Sequence, residues 1–547
     1  MMKTLIVTPA LLAALTLTVT ARSDSDFNAD RFKAHVTFLA DDLLEGREAG
    51  TRGHEIAARY IVSQFALLGV KPAAPDGTYL QPVPLAEASH ARPAVLVLRT
   101  PRGAQTLRHG AQALVRGPVA AGTSTVTGPL VFVGYGMKDD SVGYDDYRGL
   151  DVRGKIAVVL RGSPKGMDSE IGAHLRSEQA RVAAEHGAVA VIAVQTREAA
   201  KAFPWDMFVK LTDEPVTTWV QKDGTPFDPL YGVKAFAAID PAVAPGLFEG
   251  SDRALEQILE EADHPGGRPK GFALKSSASI TVATKVRRFS SPEVVGLIEG
   301  SDPALENEYV ALMAHSDHIG MKAGGAGDRI NNGALDNAAG VATLLEVARA
   351  LMTAPERPRR SILIVANTAE EKGLLGAEYF AHYPPVPIDR IVAAIDLDMP
   401  MLLYDFTDVV AYGLGHSTLE RAFQSATKSM NLKLSPDPMP EQAVFVRSDH
   451  YAMVKVGVPA VMLATGMDNG GAAQWSKFLS TNYHQPSDDL SQPILWSAGA
   501  KFAELNYRVL RTLADEQTRP QWYAGDYFGN LFAASAPKAT RPSSYRP

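Results

Sequence analysis

The sequence predicts an α/β fold around a mostly parallel sheet, interrupted by a strand-rich module. Between residues 291 and 515, short apolar runs alternate with stretches of helical period, the rhythm of parallel strands covered by helices. Between residues 93 and 290 the helical stretches thin out, and apolar runs punctuated by Gly and Pro take over. At 547 residues the chain exceeds one hydrophobic core, which implies roughly two to four domains.

The first segment reads as a secretory leader over residues 1–21. Lys3 supplies the positive start, Leu5 to Leu17 is mostly apolar, and Val19-Thr20-Ala21 offers small residues for cleavage before Arg22-Ser23-Asp24 turns polar. The apolar run falls short of the roughly 20 residues of a spanning helix, and no later stretch is long and apolar enough, so no membrane association is expected after cleavage. A secreted or periplasmic protein is therefore expected. The chain has no cysteine, which excludes disulfides, thiolate metal sites and a thiol nucleophile. A net charge of −7 without a basic run argues against nucleic acid as a partner.

Residues 27–70 predict helices, because Phe27, Phe32, Val36 and Leu39, then Ala57, Tyr60, Ile61, Phe65 and Leu68, recur at helical spacing. The glycine-dense turn Gly46–Gly53 between them is either a plain interhelical loop or a part of the site. In the strand-rich module, Ala94–Leu98, Leu130–Val133, Ile156–Leu160 and Ala188–Val194 read as strands, and the helix signal is limited to about Arg176–His186 and Ala254–Ala262. Beyond it, strands are expected at Val294–Ile298, Val310–Ala314, Ser361–Asn367, Ile391–Leu397 and Ala460–Leu463. Helices are expected at Ala338–Met352, Leu374–Ala381, Thr418–Met430 and Ser497–Leu513. After Thr518 the composition predicts a tail lying along the surface. The expected division is 1–21 leader, 22–110 first part of the main domain, 111–285 insert, 286–518 main domain with the site, and 519–547 tail.

Acids and histidines gather where those strands end. Val310–Ala314 runs into His315-Ser316-Asp317-His318, Ser361–Asn367 into Thr368-Ala369-Glu370-Glu371, and Ile391–Ile395 into Asp396-Leu397-Asp398. Ligands of such sheets bind beyond the carboxyl ends of the strands. Two loops add Asp336, before the helix at Ala338, and His484. Alone, Asp336 reads as a helix cap, and His484 and His450 read as structural. Together the strand-end groups point to metal, and imidazole plus carboxylate without thiolate suits zinc. Two zinc ions sharing a carboxylate need about five protein ligands. His315 and Asp317, two apart in an extended segment, point to one side, so Asp317 suits the second imidazole nitrogen of His315. One of Glu370 and Glu371 ligates while the other serves as base.

These same stretches carry a family resemblance. Ala314–Gly320, Gly333–Gly340, Ala369–Gly376, Asp396–Met399 and Tyr483-His484 resemble, in order and spacing, the M28 family of zinc aminopeptidases, and the Gly46–Gly53 turn resembles its N-terminal segment. The resemblance implies a zinc aminopeptidase-like fold, with a mostly parallel, mixed sheet and helices on both faces. It implies two Zn2+ ions, with Asp336 bridging, His315 and Asp398 completing one site, and Glu371 and His484 the other. It further implies Glu370 as general base, Asp317 orienting His315, a cis Asp336–Asn337 peptide, and peptide substrates. Val131–Gly136, Tyr144–Tyr147 and Gly154–Gly162 resemble a protease-associated (PA) domain, an insert set near peptidase sites. Two positions depart from the family pattern. Phe445 stands where some members have an oxyanion-stabilising tyrosine, which leaves Arg447, His450, Tyr451 or zinc alone for that role, and Glu293 stands where relatives often have Asn.

Three readings compete: an aminopeptidase; a carboxypeptidase, dipeptidase or glutaminyl cyclase on the same scaffold; and a non-catalytic binding protein. A carboxypeptidase or dipeptidase would hold its substrate's carboxylate with arginines. The complete ligand set favours two metals and disfavours the one-zinc cyclase and the dead site. Met399, Met401, Phe445, Met467 and Trp475 are candidates for an apolar pocket.

Overall fold

The computed structural model describes residues 27–210 and 212–542; the expected leader, residues 1–21, lies outside them. Helices form at Ala29–Leu39 and Arg52–Leu68. Asn28 caps the first by accepting from the Asp30 and Arg31 amides, and Thr51 caps the second from His54. Gly69, at φ 77°, ends the second helix. The turn between them holds Glu45, Gly46 and Arg47 at positive φ.

The main sheet is mixed. From its edge the order is Lys433–Ser435, Asp408–Tyr412, Ala460–Thr465, Ile391–Asp396, Tyr309–His315, Ser361–Asn367, and the end of a long strand, Phe272–Ile298. The four strands from Ala460–Thr465 to Ser361–Asn367 run parallel. Val294–Ile298 pairs antiparallel with Ser361–Asn367, and Asp408–Tyr412 antiparallel with Ala460–Thr465. The parallel strands are buried along their length apart from Tyr309, as near-continuous apolar runs require. Helices Ala29–Leu39, Ala339–Thr353 and Trp496–Asp515 pack on one another, and Leu375–His382 packs on His450–Lys455. One apolar core joins these helices to the sheet.

Phe272–Ile298 spans 27 residues, and Leu80–Thr100 pairs with it from Ser277↔Arg99 to Val294↔Leu80, with a bulge at Ala283. This ribbon continues the main sheet into the strand-rich module. There the order is Gly122–Phe132, Ile156–Arg161, Ala190–Gln195, Phe236–Ile239 and Ala113–Arg116, with apolar clusters of its own. The module touches the main domain through Trp219, which packs with Ala369, Leu375 and Tyr379, and through a hydrogen bond of 2.8 Å between Tyr451 Oη and His174 Nδ1.

Three expectations are corrected. The helix expected at Arg176–His186 is two helices, Ser169–Ser177 and Gln179–Glu185, broken at Glu178, and Arg197–Ala202 and Trp205–Lys210 add further helices to the module. The tail does not simply lie on the surface. Trp522, Tyr523 and Phe528 are buried, and the Trp522 indole donates to the Gly457 carbonyl at 2.8 Å. Burying such large rings outweighs the loop-like composition around them.

Candidate metal centre

The strand Tyr309–His315 ends in His315, and Ile391–Asp396 ends two residues before Asp398. Asp336 sits between Gly333, at φ 60°, and the helix Ala339–Thr353, and its peptide bond to Asn337 is cis, as the resemblance implies. Gly340 makes this loop possible, since a Cβ there would lie 2.0 Å from Asn337 Oδ1 and 2.5 Å from the Leu397 carbonyl. Asn337 in turn donates to the Leu397 carbonyl at 2.7 Å, tying the Asp336 loop to the Asp398 loop.

The structure brings all five expected ligands together. His315 Nε2 lies 3.4 Å from Asp336 Oδ1 and 3.3 Å from Asp398 Oδ1. His484 Nε2 lies 3.4 Å from Asp336 Oδ2 and 3.1 Å from Glu371 Oε2. Asp336 thus turns one oxygen to each half of the cluster. His318, which sequence reasoning did not assign, joins the second half, with Nδ1 2.6 Å from Glu371 Oε1 and 3.9 Å from Asp336 Oδ2. Two sets, His315–Asp336–Asp398 and His318–Asp336–Glu371, each hold candidate ligand atoms within 4.8 Å of one another.

Asp317 is placed somewhat differently from the expectation. His315 Nδ1 is 3.1 Å from the Asp317 backbone carbonyl and 4.0 Å from its Oδ1. The Asp317 carboxylate accepts instead from the Glu370 amide at 3.2 Å. The Glu370 carboxylate itself has no hydrogen-bond or ion-pair partner among the described residues. His450 is buried, and its amide donates to Asp396 at 3.1 Å. The Ser448 hydroxyl lies 2.7 Å from both Asp396 Oδ2 and Asp398 Oδ2, and its one proton links the two carboxylates.

Charge is concentrated here out of water. Burial pushes Glu370 well above the carboxylate range, with Glu371 and Asp398 adding to it. Burial likewise raises Asp317 to about 6. Against burial, the imidazoles of His318 and His484 hold Glu371 down to about 2, and Asp336 is held well below its ordinary value by His318, His315 and His484. His315 is raised well above the imidazole range despite its burial, by Glu370, Asp336 and Asp398. A donor set of imidazole and carboxylate oxygen suits zinc. His484 Nε2 makes no well-directed hydrogen bond although two carboxylate oxygens lie within 3.4 Å, the geometry of lone pairs that converge on a shared cation. The residues fit two such ions.

Two further groups support the cluster. Asp488 accepts from the Leu335 amide at 2.9 Å and the Asp336 amide at 3.0 Å. Arg47 is 1% exposed, and its guanidinium donates to the carbonyls of Ser316 at 3.2 Å, Asn332 at 2.5 Å, Gly333 at 3.1 Å and Leu39. Burial lowers it to about 10, while Asp488, Asp336, Asp317 and Glu371 oppose that shift. The Gly46–Gly53 turn is thus part of the site. Of the candidate pocket residues, Met401 and Phe445 are core, while Met467 and Trp475 line a cleft of about 500 Å³ with Met439 and Leu479. Phe445 packs on His416 with ring centroids 4.6 Å apart, and Tyr451 is engaged by His174.

Comparison with known proteins agrees with this geometry. The family model for peptidase family M28 matches residues 293–510, and that for the PA domain matches residues 126–224. Aminopeptidase NAALADL1 of Rattus norvegicus is 26% identical over 56% of this chain and 43% of its own length. The probable leucine aminopeptidase 2 of Aspergillus oryzae is 27% identical over 39% of this chain and 43% of its own length. A glutamate carboxypeptidase 2 homolog of Caenorhabditis elegans is 24% identical over 51% of this chain and 38% of its own length. The chain spans less than half the length of these curated relatives. Among solved structures, the aminopeptidase from Aneurinibacillus sp. strain AM-1 shares the fold, with a TM-score of 0.52 at 20% identity over 90% of this chain and 96% of that one. The chain therefore carries a peptidase family M28 domain preceded by a PA domain.

Proposed function

We propose that the chain is an exported, zinc-dependent exopeptidase, an aminopeptidase that removes the N-terminal residue of peptides. The observation that carries this reading is Asp336, one carboxylate oxygen facing His315 and the other His484, together with a Glu370 carboxylate that has no partner among the described residues. His315 and Asp398 would hold one zinc ion, Glu371 and His484 the other, with Asp336 between them and His318 at hand to the second. Two ions bound there would polarise the scissile carbonyl and make the attacking water acidic.

The chain's own groups handle the proton. Glu370 has an unoccupied carboxylate whose proton affinity is raised by burial, the setting of a base that takes a proton from water and returns it to the leaving amine. Asp317 holds the Glu370 amide, and its backbone carbonyl stands at His315 Nδ1 and fixes which imidazole nitrogen faces the cluster. The leader read in residues 1–21 would carry the chain out of the cytoplasm, and residues 111–285 would form the insert beside the site. Names among the relatives support both ends of a peptide, aminopeptidase and carboxypeptidase. The test is hydrolysis of amino-acid p-nitroanilides against their N-blocked equivalents, with and without chelator. Chelator-sensitive release from the free-amine substrates is expected. Cleavage of blocked substrates alone would overturn the aminopeptidase reading.

A further inference from the structure

Residues 519–541 follow the long helix Trp496–Asp515 and lie beyond the matched peptidase domain. A segment in such a place stays loose unless something ties it down, and this one is tied on two sides. On the main domain, the Thr418 amide donates to the Gln521 carbonyl at 2.9 Å, and the Gln521 amide donates to Thr418 Oγ1 at 3.0 Å. Arg541 donates to the Gly415 carbonyl at 2.9 Å.

The other side is the strand-rich module. Tyr527 Oη donates to Asp139 Oδ2 at 2.6 Å. The rings of Tyr527, Phe528 and Phe532 meet the His174 ring edge-on, with centroids 6.1, 6.0 and 5.5 Å away. His416 stands at the joint of all three parts, with Nδ1 2.7 Å from Asp526 Oδ2 of the tail and Nε2 2.9 Å from Glu170 Oε2 of the module. Carboxylate oxygens only accept, so both ring nitrogens donate and the ring is an imidazolium shared between tail and module.

The same segment backs the metal cluster. Phe528 is fully buried and packs on Phe445, with ring centroids 5.1 Å apart. Phe445 packs in turn on His450 at 5.4 Å. Between those two lies Ser448, whose hydroxyl is 2.7 Å from Asp398 Oδ2. Contacts therefore lead from Asp139 and Glu170 of the module, through the tail, to the segment that touches a candidate ligand.

We propose that residues 519–541 are a strap. They fasten the strand-rich module to the main domain, and through Phe528 they steady residues 444–450 behind Asp398. The fastening stands on these contacts alone, while its effect on Asp398 rests on the metal reading.

Hydrogen exchange of the full chain, followed segment by segment, tests it. Asp526→Asn combined with Tyr527→Phe removes one charge and one hydroxyl with little change of shape. Exchange in Ser169–Ser177 and in residues 444–450 should rise by about tenfold or more, while the core strands Ile156–Arg161 and Ile391–Asp396 stay protected. Glu170→Gln, made on the module, should reciprocally raise exchange in Tyr527–Phe532. Unchanged exchange in Ser169–Ser177 in the double variant, or an equal rise in both core strands, overturns the strap. Phe528→Ala should also speed zinc loss to a chelator by about tenfold, and Phe528→Met, which refills the space, should restore most of the retention. Zinc loss that is unchanged in Phe528→Ala overturns the link to Asp398 alone. A wild-type chain that binds no zinc overturns the metal reading and that link, and the exchange experiment still decides the strap.

Discussion

Arg47 donates through Nη2 to the Gly333 carbonyl at 3.1 Å, tying the turn between the first two helices to the loop that presents Asp336. The same guanidinium holds the Ser316 carbonyl, next to His315. It is a buried cation set among carboxylates, and it positions two ligand-bearing loops at once. Arg47→Met should leave interior carbonyls without donors, at a cost on the order of 3 kcal/mol or more. Thermal unfolding with and without zinc checks this: a lower Tm and weaker zinc binding are expected, with little rescue by Arg47→Lys, which cannot span the same carbonyls. An unchanged Tm would refute the positioning role.

Glu370→Gln tests the base directly. The amide keeps the shape of a side chain that makes no hydrogen bond among the described residues, so the fold and zinc content should survive. Turnover should fall by about 10²- to 10⁴-fold. Full activity in this variant would remove the base assignment and leave Glu371 or Asp317 to be tested next.

Zinc titration of the chelated protein, followed by calorimetry, should saturate at two ions per chain and raise the Tm, because ions that bind only the folded chain stabilise it. Asp336→Asn should weaken both binding events together, since its two oxygens face different imidazoles. Saturation at one ion would contradict the shared carboxylate.

His416 joins the module to the tail. Its Nδ1 is 2.7 Å from Asp526 Oδ2 and its Nε2 is 2.9 Å from Glu170 Oε2. Burial alone would lower its pKa, but Asp526 and Glu170 raise it to about 9. A group raised in the folded state stabilises fully below its unfolded value, near 6.5, and loses that contribution as pH climbs through the folded value. Stability should therefore decline between about pH 7 and 10, by at most about 3 kcal/mol. Denaturant unfolding across that range checks it, and His416→Gln should flatten the profile. A wild-type curve that rises with pH would contradict the assignment.

Much of this was legible in the sequence, and the reason is local. Ser361–Asn367 and Ile391–Asp396 are apolar runs long enough to cross a buried sheet, and their ends carry the site groups. By contrast, Asp408–Tyr412 spans only five residues and opens on an acid, and the helix Gly471–Thr481 begins with glycine and small residues, so neither stands out by period. Arg47 and Asp488 escaped notice because most of their partners are backbone groups 152 to 286 positions away. His318 was hidden by its neighbour: in His315-Ser316-Asp317-His318 the first histidine satisfies the motif, and only tertiary structure turns the second one toward Glu371.

The ribbon of Phe272–Ile298 and Leu80–Thr100 has a mechanical consequence. Two domains joined by loose tethers can swing apart through a few backbone torsions. Here the link is two strands paired along their length, so moving one body against the other means bending a hydrogen-bonded ribbon and not turning a few free torsions.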